Sequence, residues 1–214
     1  MKESDLAQIE SLCEAFILSQ SPADGAHDIG HVRRVVENAR QLTNMEGADA
    51  RVTLPAAWLH DCVAIAKDDP RRSQGSRLAA GAAVEFLAGK PYPDDLLEAV
   101  RHAIEAHSFS AGIAAESREA KVVQDADRLD SLGAIGIARC LLVGGRLDRP
   151  LLCAEDPFCD ARRPDDNRYT IDHFYAKLLT LPATMQTASG RQMAEHRAKV
   201  MKHYLDTLRS ELGE

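Results

Sequence analysis

Residues 54–66 read LPAAWLHDCVAIA. The stretch is apolar on almost every side, so other elements must enclose it, as they enclose a helix in the middle of a bundle. Only His60 and Asp61 interrupt it. Burying a polar group without a partner costs about 2–7 kcal/mol. The pair therefore demands compensation from a hydrogen-bonding neighbour, a salt bridge or a cation.

The rest of the chain reads as helices that could supply the enclosure. Apolar residues spaced by three and four predict helices near 4–20 and 27–45, the second with a stripe of Val32, Val35, Ala39 and Leu42. Further helices are expected near 75–88, near 93–107 and from about Ser117, the last carrying Val122, Ala126 and Leu129. Over 144–168 glycine, proline, aspartate and arginine accumulate and the period fades, which predicts a long irregular loop. The RRPDD run inside it reads as a solvated charge cluster or part of a lid. Helix resumes near 170–180 and from Pro182 to Leu212, the latter strongly charged. No alternating run suggests a sheet. The expectation is an all-α single domain over 1–214: a helical bundle with its core at about 26–142, the loop, and a C-terminal helical extension at about 170–212.

Charge and cysteine usage exclude several roles. The formal net charge is −7, so no whole-chain basic field attracts a nucleic-acid backbone. Five cysteines, odd in number and without a C-x-x-C pair, speak against a disulfide framework and against a thiolate zinc site. Acidic residues at Glu3, Asp5 and Glu10 stand where a signal peptide needs a basic region, and no apolar stretch reaches membrane-spanning length. A cytoplasmic location and no membrane partner are expected; a homo-oligomer is compatible with the sequence.

His31 shares a helical face with Val35, Asn38 and Leu42, and so points toward the core from the preceding helix. Asp127 adds a fourth group in the run QDADRLDSLGA. Two imidazoles and two carboxylates from three helices make a mixed nitrogen and oxygen site for a borderline divalent ion such as Mn, Fe, Ni or Zn. Asp125 is the alternative fourth group, about 200° away from Asp127 around the helix.

The ordered pattern H…HD…D, carried by AHDIGHVRRV, WLHDCV and VVQDADRLDSLGAIGIAR, resembles the HD superfamily of metal-dependent phosphohydrolases. Within it the chain is most similar to the bacterial YedJ/YpgQ subgroup, which includes a nucleotide pyrophosphohydrolase. The likeness extends through AIEAHSFSAGI, EDPFCDARRPDDNRY and DHFYAKLLTLPATMQTASG, over roughly residues 26–195. The resemblance implies an all-helical HD fold in which His31, His60, Asp61 and Asp127 hold one divalent metal ion, Mn first, with Mg, Ni, Co, Fe or Zn as alternatives. It also implies hydrolysis of a small phosphorylated substrate, a nucleoside triphosphate cut to monophosphate and pyrophosphate. A phosphomonoesterase or phosphodiesterase with the same metal site, and a non-catalytic nucleotide-binding sensor, are the alternatives.

Around this quartet, His107 and Asp130 are candidates to move protons. Lys67, Arg72, Arg128 and His27 are candidates to contact substrate, and Lys67 follows the His-Asp pair closely enough to grip phosphate oxygens near it. His102 and His107 lie five residues apart on one helix, about 140° around its axis, so at most one of them faces the quartet. His102 is expected at the surface, and one ion rather than two in the site.

Overall fold

The computed structural model describes residues 3–20, 29–63, 65, 74–108 and 111–213. Among the described residues the fold is all-α, and none of the helices is long and apolar enough to cross a membrane. The chain divides into two compact units, with the boundary after Asp127.

The first unit holds α1 (Glu3–Ser19), α2 (Ile29–Glu46), α3 (Ala50–Leu59), α4 (Gly75–Ala88), α5 (Leu97–His107) and most of α6 (Arg118–Leu129). Helix α3 is its axis and packs against α1, α2, α4 and α5. Asp49 caps α3 by accepting from the Arg51 amide at 2.9 Å. Pro55 lies inside the helix and has no N–H to offer the Arg51 carbonyl four residues back. The Tyr92 hydroxyl donates to that carbonyl instead, at 2.7 Å. The helix is buried from Val52 onward, which fits the enclosure its composition demands.

The composition of 54–66 suggests one continuous buried helix. The apolar stretch 54–66 is not a single helix: α3 ends at Leu59, His60 is its C-cap, and Asp61 lies in the following turn. The Cys62 amide closes that turn on the Leu59 carbonyl at 3.1 Å. Apolar periodicity could not mark this end, because the residues on both sides of it are buried or apolar.

The second unit holds α7 (Gly133–Arg146), an irregular segment at 147–171, α8 (Asp172–Ala176), a 3-10 stretch (Leu178–Thr184) and α9 (Ala188–Glu211). Phe174, Ile171, Leu132 and Met201 are fully buried in it. The last helix starts at Ala188 and not at Pro182, because the Thr187 side chain caps it by accepting from the Gly190 amide at 3.0 Å. The charge run in the long loop is also not simply solvated. Arg162 reaches forward to the fully buried Asp172, and Asp166 pairs with His173 at 2.8 Å. All five cysteines are free thiols.

Candidate metal centre

Four stretches of the first unit bring ionisable groups together. His31 sits in the first turn of α2, on the buried face that continues through Val35, Asn38 and Leu42. Asn38 donates to the Ala126 carbonyl at 3.0 Å and so ties α2 to the residue preceding Asp127. Thr43 and Thr53 share a buried hydrogen bond of 2.7 Å that joins α2 to α3. Gln124 donates to the Ala106 carbonyl at 2.6 Å, linking α6 to the residue before His107.

The two imidazoles at helix ends are oriented in the same way. His60 Nδ1 bonds the Ala57 carbonyl at 2.8 Å, and His107 Nδ1 bonds the Ile104 carbonyl at 2.6 Å. A carbonyl only accepts, so Nδ1 carries the hydrogen in both rings, and in the neutral form Nε2 presents its lone pair. His60 Nε2 lies 3.6 Å from Asp61 Oδ2 and 3.9 Å from Asp127 Oδ1. His107 Nε2 lies 3.5 Å from Asp61 Oδ1, and His31 Nε2 lies 3.5 Å from Asp127 Oδ1. The rings of His31 and His107 approach that of His60 edge-on, with centroids 5.5 and 5.0 Å away.

The electrostatics call for a cation. His60 is completely buried, and its Nε2 has no hydrogen-bond partner among the described residues. Burial holds the His60 pKa below its ordinary value despite the pull of Asp61, so a proton is a poor occupant of that nitrogen. Its lone pair then faces two carboxylate oxygens, which is repulsive unless a positive ion sits among them. At His107 burial acts in the same direction, but the bond to Asp61 and the charges of Asp61 and Asp127 outweigh it and leave the pKa raised. Two ligand groups emerge, His31 with His60 and Asp127, and His60 with Asp61 and His107; within each the donor atoms lie within 4.8 Å of one another. The mixed imidazole and carboxylate donors suit a borderline divalent metal.

The structure thus places His31 and Asp127 with His60 in one group, and Asp61 with His60 in a second group whose third member is His107. Asp125 is buried on α6 but belongs to neither group. His102 is half-buried, not fully exposed, and its Nε2 accepts from the Glu116 amide at 3.2 Å. Asp130 lies in the second unit, where Arg139 binds its buried carboxylate. Arg128 donates to the Thr184 carbonyl. His27, Lys67 and Arg72 lie outside the described residues. Asn38 and Gln124 were not readable as site residues: an amide on a buried face signals only that some partner exists.

The HD domain family model matches residues 28–132, the span that carries His31, His60, Asp61, His107 and Asp127. The chain is also 32% identical over 217 residues to the uncharacterized protein YpgQ of Bacillus subtilis (strain 168), an alignment covering 99% of this chain and 96% of the relative. The chain belongs to the HD family. Solved structures of related proteins agree with it in fold over nearly their whole length. An HD-superfamily hydrolase from Bacillus thuringiensis superposes with a TM-score of 0.75 at 30% identity, covering 100% of this chain and 99% of the other. Bacillus subtilis YpgQ in complex with ADP superposes at 0.70 with 28% identity, covering 97% and 95%.

Proposed function

We propose that this HD-family protein is a metal-dependent phosphohydrolase that cleaves a nucleoside triphosphate to the monophosphate and pyrophosphate. The observation that carries the metal is His60, whose buried and unpartnered Nε2 faces two carboxylates. The nucleotide class is supported by the structure of the related YpgQ in complex with ADP.

In this reading His31, His60, Asp61 and Asp127 hold one divalent ion, with Mn the first choice. When bound, such an ion supplies Lewis acidity toward a phosphoryl oxygen and lowers the pKa of an attacking water. The chain's own residues orient the reaction and handle its protons. The carbonyls of Ala57 and Ile104 fix the tautomers and ring planes of His60 and His107. His107 exchanges a proton at Nε2, which lies 3.5 Å from Asp61 Oδ1. Asp130 is the weaker candidate for that work, since Arg139 already binds its carboxylate. Lys67, Arg72 and His27 are proposed to contact the phosphates from their sequence positions alone, and Arg128 is already engaged by a backbone carbonyl.

The test is a screen of nucleoside triphosphates and phosphate esters with Mn, Mg, Ni and Co, scoring phosphate and pyrophosphate separately. Release of pyrophosphate is expected. Release of orthophosphate alone would move the assignment to a phosphatase, and absence of any turnover would leave a nucleotide-binding sensor.

A companion measurement bears on the number of ions. One His60 Nε2 cannot serve both ligand groups with separate ions, and His102 is bound to the Glu116 amide on another side of α5. His102→Ala is expected to keep metal content and turnover near wild type. His107→Ala is expected to keep the metal and lower turnover by about 100-fold, within the range for a general acid or base. Two tightly bound ions per chain by elemental analysis, or an ion lost with His102, would contradict the single-ion site.

A further inference from the structure

The second unit contains a cavity of about 160 Å³ between α7 and the segment that leads into α8. Its polar walls are Ser131, Arg139, Cys140, Arg149, Thr170 and His173. Gly144 shapes it: a Cβ there would fall 2.2 Å from Thr170 Oγ1, so only glycine lets the Thr170 segment lie this close to the helix.

The basic side chains in these walls are not equivalent. Arg139 is neutralised by Asp130, and His173 Nδ1 is bound to Asp166 at 2.8 Å. The Arg149 guanidinium makes no hydrogen bond or ion pair among the described residues, although its backbone is anchored by a 3.0 Å bond from its amide to the Gly144 carbonyl. A half-buried cation unmatched among the described residues, with the Ser131 hydroxyl on the same walls, is an environment that favours an anion, while the Thr170 hydroxyl already donates to the Arg149 carbonyl at 3.5 Å. The guanidinium fork matches the oxygen spacing of a phosphate. An apolar cavity of roughly 150 Å³ admits benzene, so this one has room for a phosphate with a few attached atoms and not for a nucleotide.

We propose that the cavity is a small-anion site that binds a phosphate group through Arg149, either as free phosphate or as the head of a small phosphate monoester. None of its residues is among the proposed metal ligands, so the inference stands apart from the catalytic reading.

Isothermal titration of the full chain with inorganic phosphate and with glycerol phosphate tests it, using wild type, His60→Ala, Arg149→Ala and Arg149→Lys. Binding that survives His60→Ala, weakens at least tenfold in Arg149→Ala and is partly restored in Arg149→Lys is the expected result. The tighter of the two probes then tells free phosphate from monoester. If circular dichroism shows that Arg149→Ala is unfolded, Arg149→Lys keeps the backbone anchor and is expected to bind severalfold more weakly than wild type. Binding lost with His60 but indifferent to Arg149, or no binding by the wild type, overturns the proposal.

Discussion

His60→Ala and Asp61→Ala are expected to leave the protein folded, without bound metal and without turnover. His60 is the one donor shared by both ligand groups, and Asp61 reaches toward both His60 and His107. Changing groups that merely orient metal ligands costs about 10–100-fold in metal affinity or activity. Removing a ligand should therefore exceed the upper end of that range, and no neighbour replaces it: His31 and His107 already face Asp127 and Asp61. Elemental analysis after gel filtration, with circular dichroism to verify the fold, reads the outcome. Full metal occupancy in either variant would remove the assignment of the centre.

Asp172→Ala should destabilise the second unit by about 3 kcal/mol. The Asp172 carboxylate has no exposure to solvent and accepts from both terminal nitrogens of Arg162, one of them at 2.7 Å, and from the Asp165 amide at 2.7 Å. Losing one member of a buried pair costs about 3–5 kcal/mol because the other charge is left uncompensated; Arg162 keeps 24% of its side chain in water, which places the cost at the lower end. That is a large share of the roughly 5–15 kcal/mol by which folded proteins are stable.

Acid should produce a related loss in the wild type. Burial alone would raise the Asp172 pKa, but the bonds from Arg162 and Asp165 outweigh it and hold the carboxyl below its ordinary value of 3.8. The pair's contribution is therefore complete above the ordinary carboxylate range and disappears as pH falls through the depressed value. Urea titrations at pH 7 and pH 3, followed by circular dichroism, should show a large difference between wild type and Asp172→Ala that narrows at the lower pH. A difference below about 1 kcal/mol at pH 7 would show that the pair is not a major support.

Much of this architecture can be read before any coordinates exist, and the reasons for the gaps are physical. Spacings of three and four residues mark most of the helices because each buries a stripe, and the fading of that period at residue 144 lies close to the end of α7 at Arg146, but the break between α6 at Leu129 and α7 at Gly133 is not marked in the helix expected from about Ser117. The end of α3 was hidden because LPAAWLHDCVAIA stays apolar past Leu59, so burial gives no cue to where the helix stops. The Arg162–Asp172 pair was equally hidden: it joins positions ten residues apart in irregular chain, where no period relates one side chain to another. Around the candidate centre, the His31 stripe and the angle between Asp125 and Asp127 were open to helical geometry. The nearness of His107 to Asp61 was not, because it depends on how α5 packs against the end of α3.

The termination of α3 at Leu59 has a geometric consequence for the dipeptide that follows. Consecutive residues in an unbroken helix diverge by about 100°, which would send one of the two side chains away from any common point. His60 keeps helical backbone angles as the C-cap, and with Asp61 in the turn that follows, His60 Nε2 lies 3.6 Å from Asp61 Oδ2. The two side chains thus converge where the helix ends.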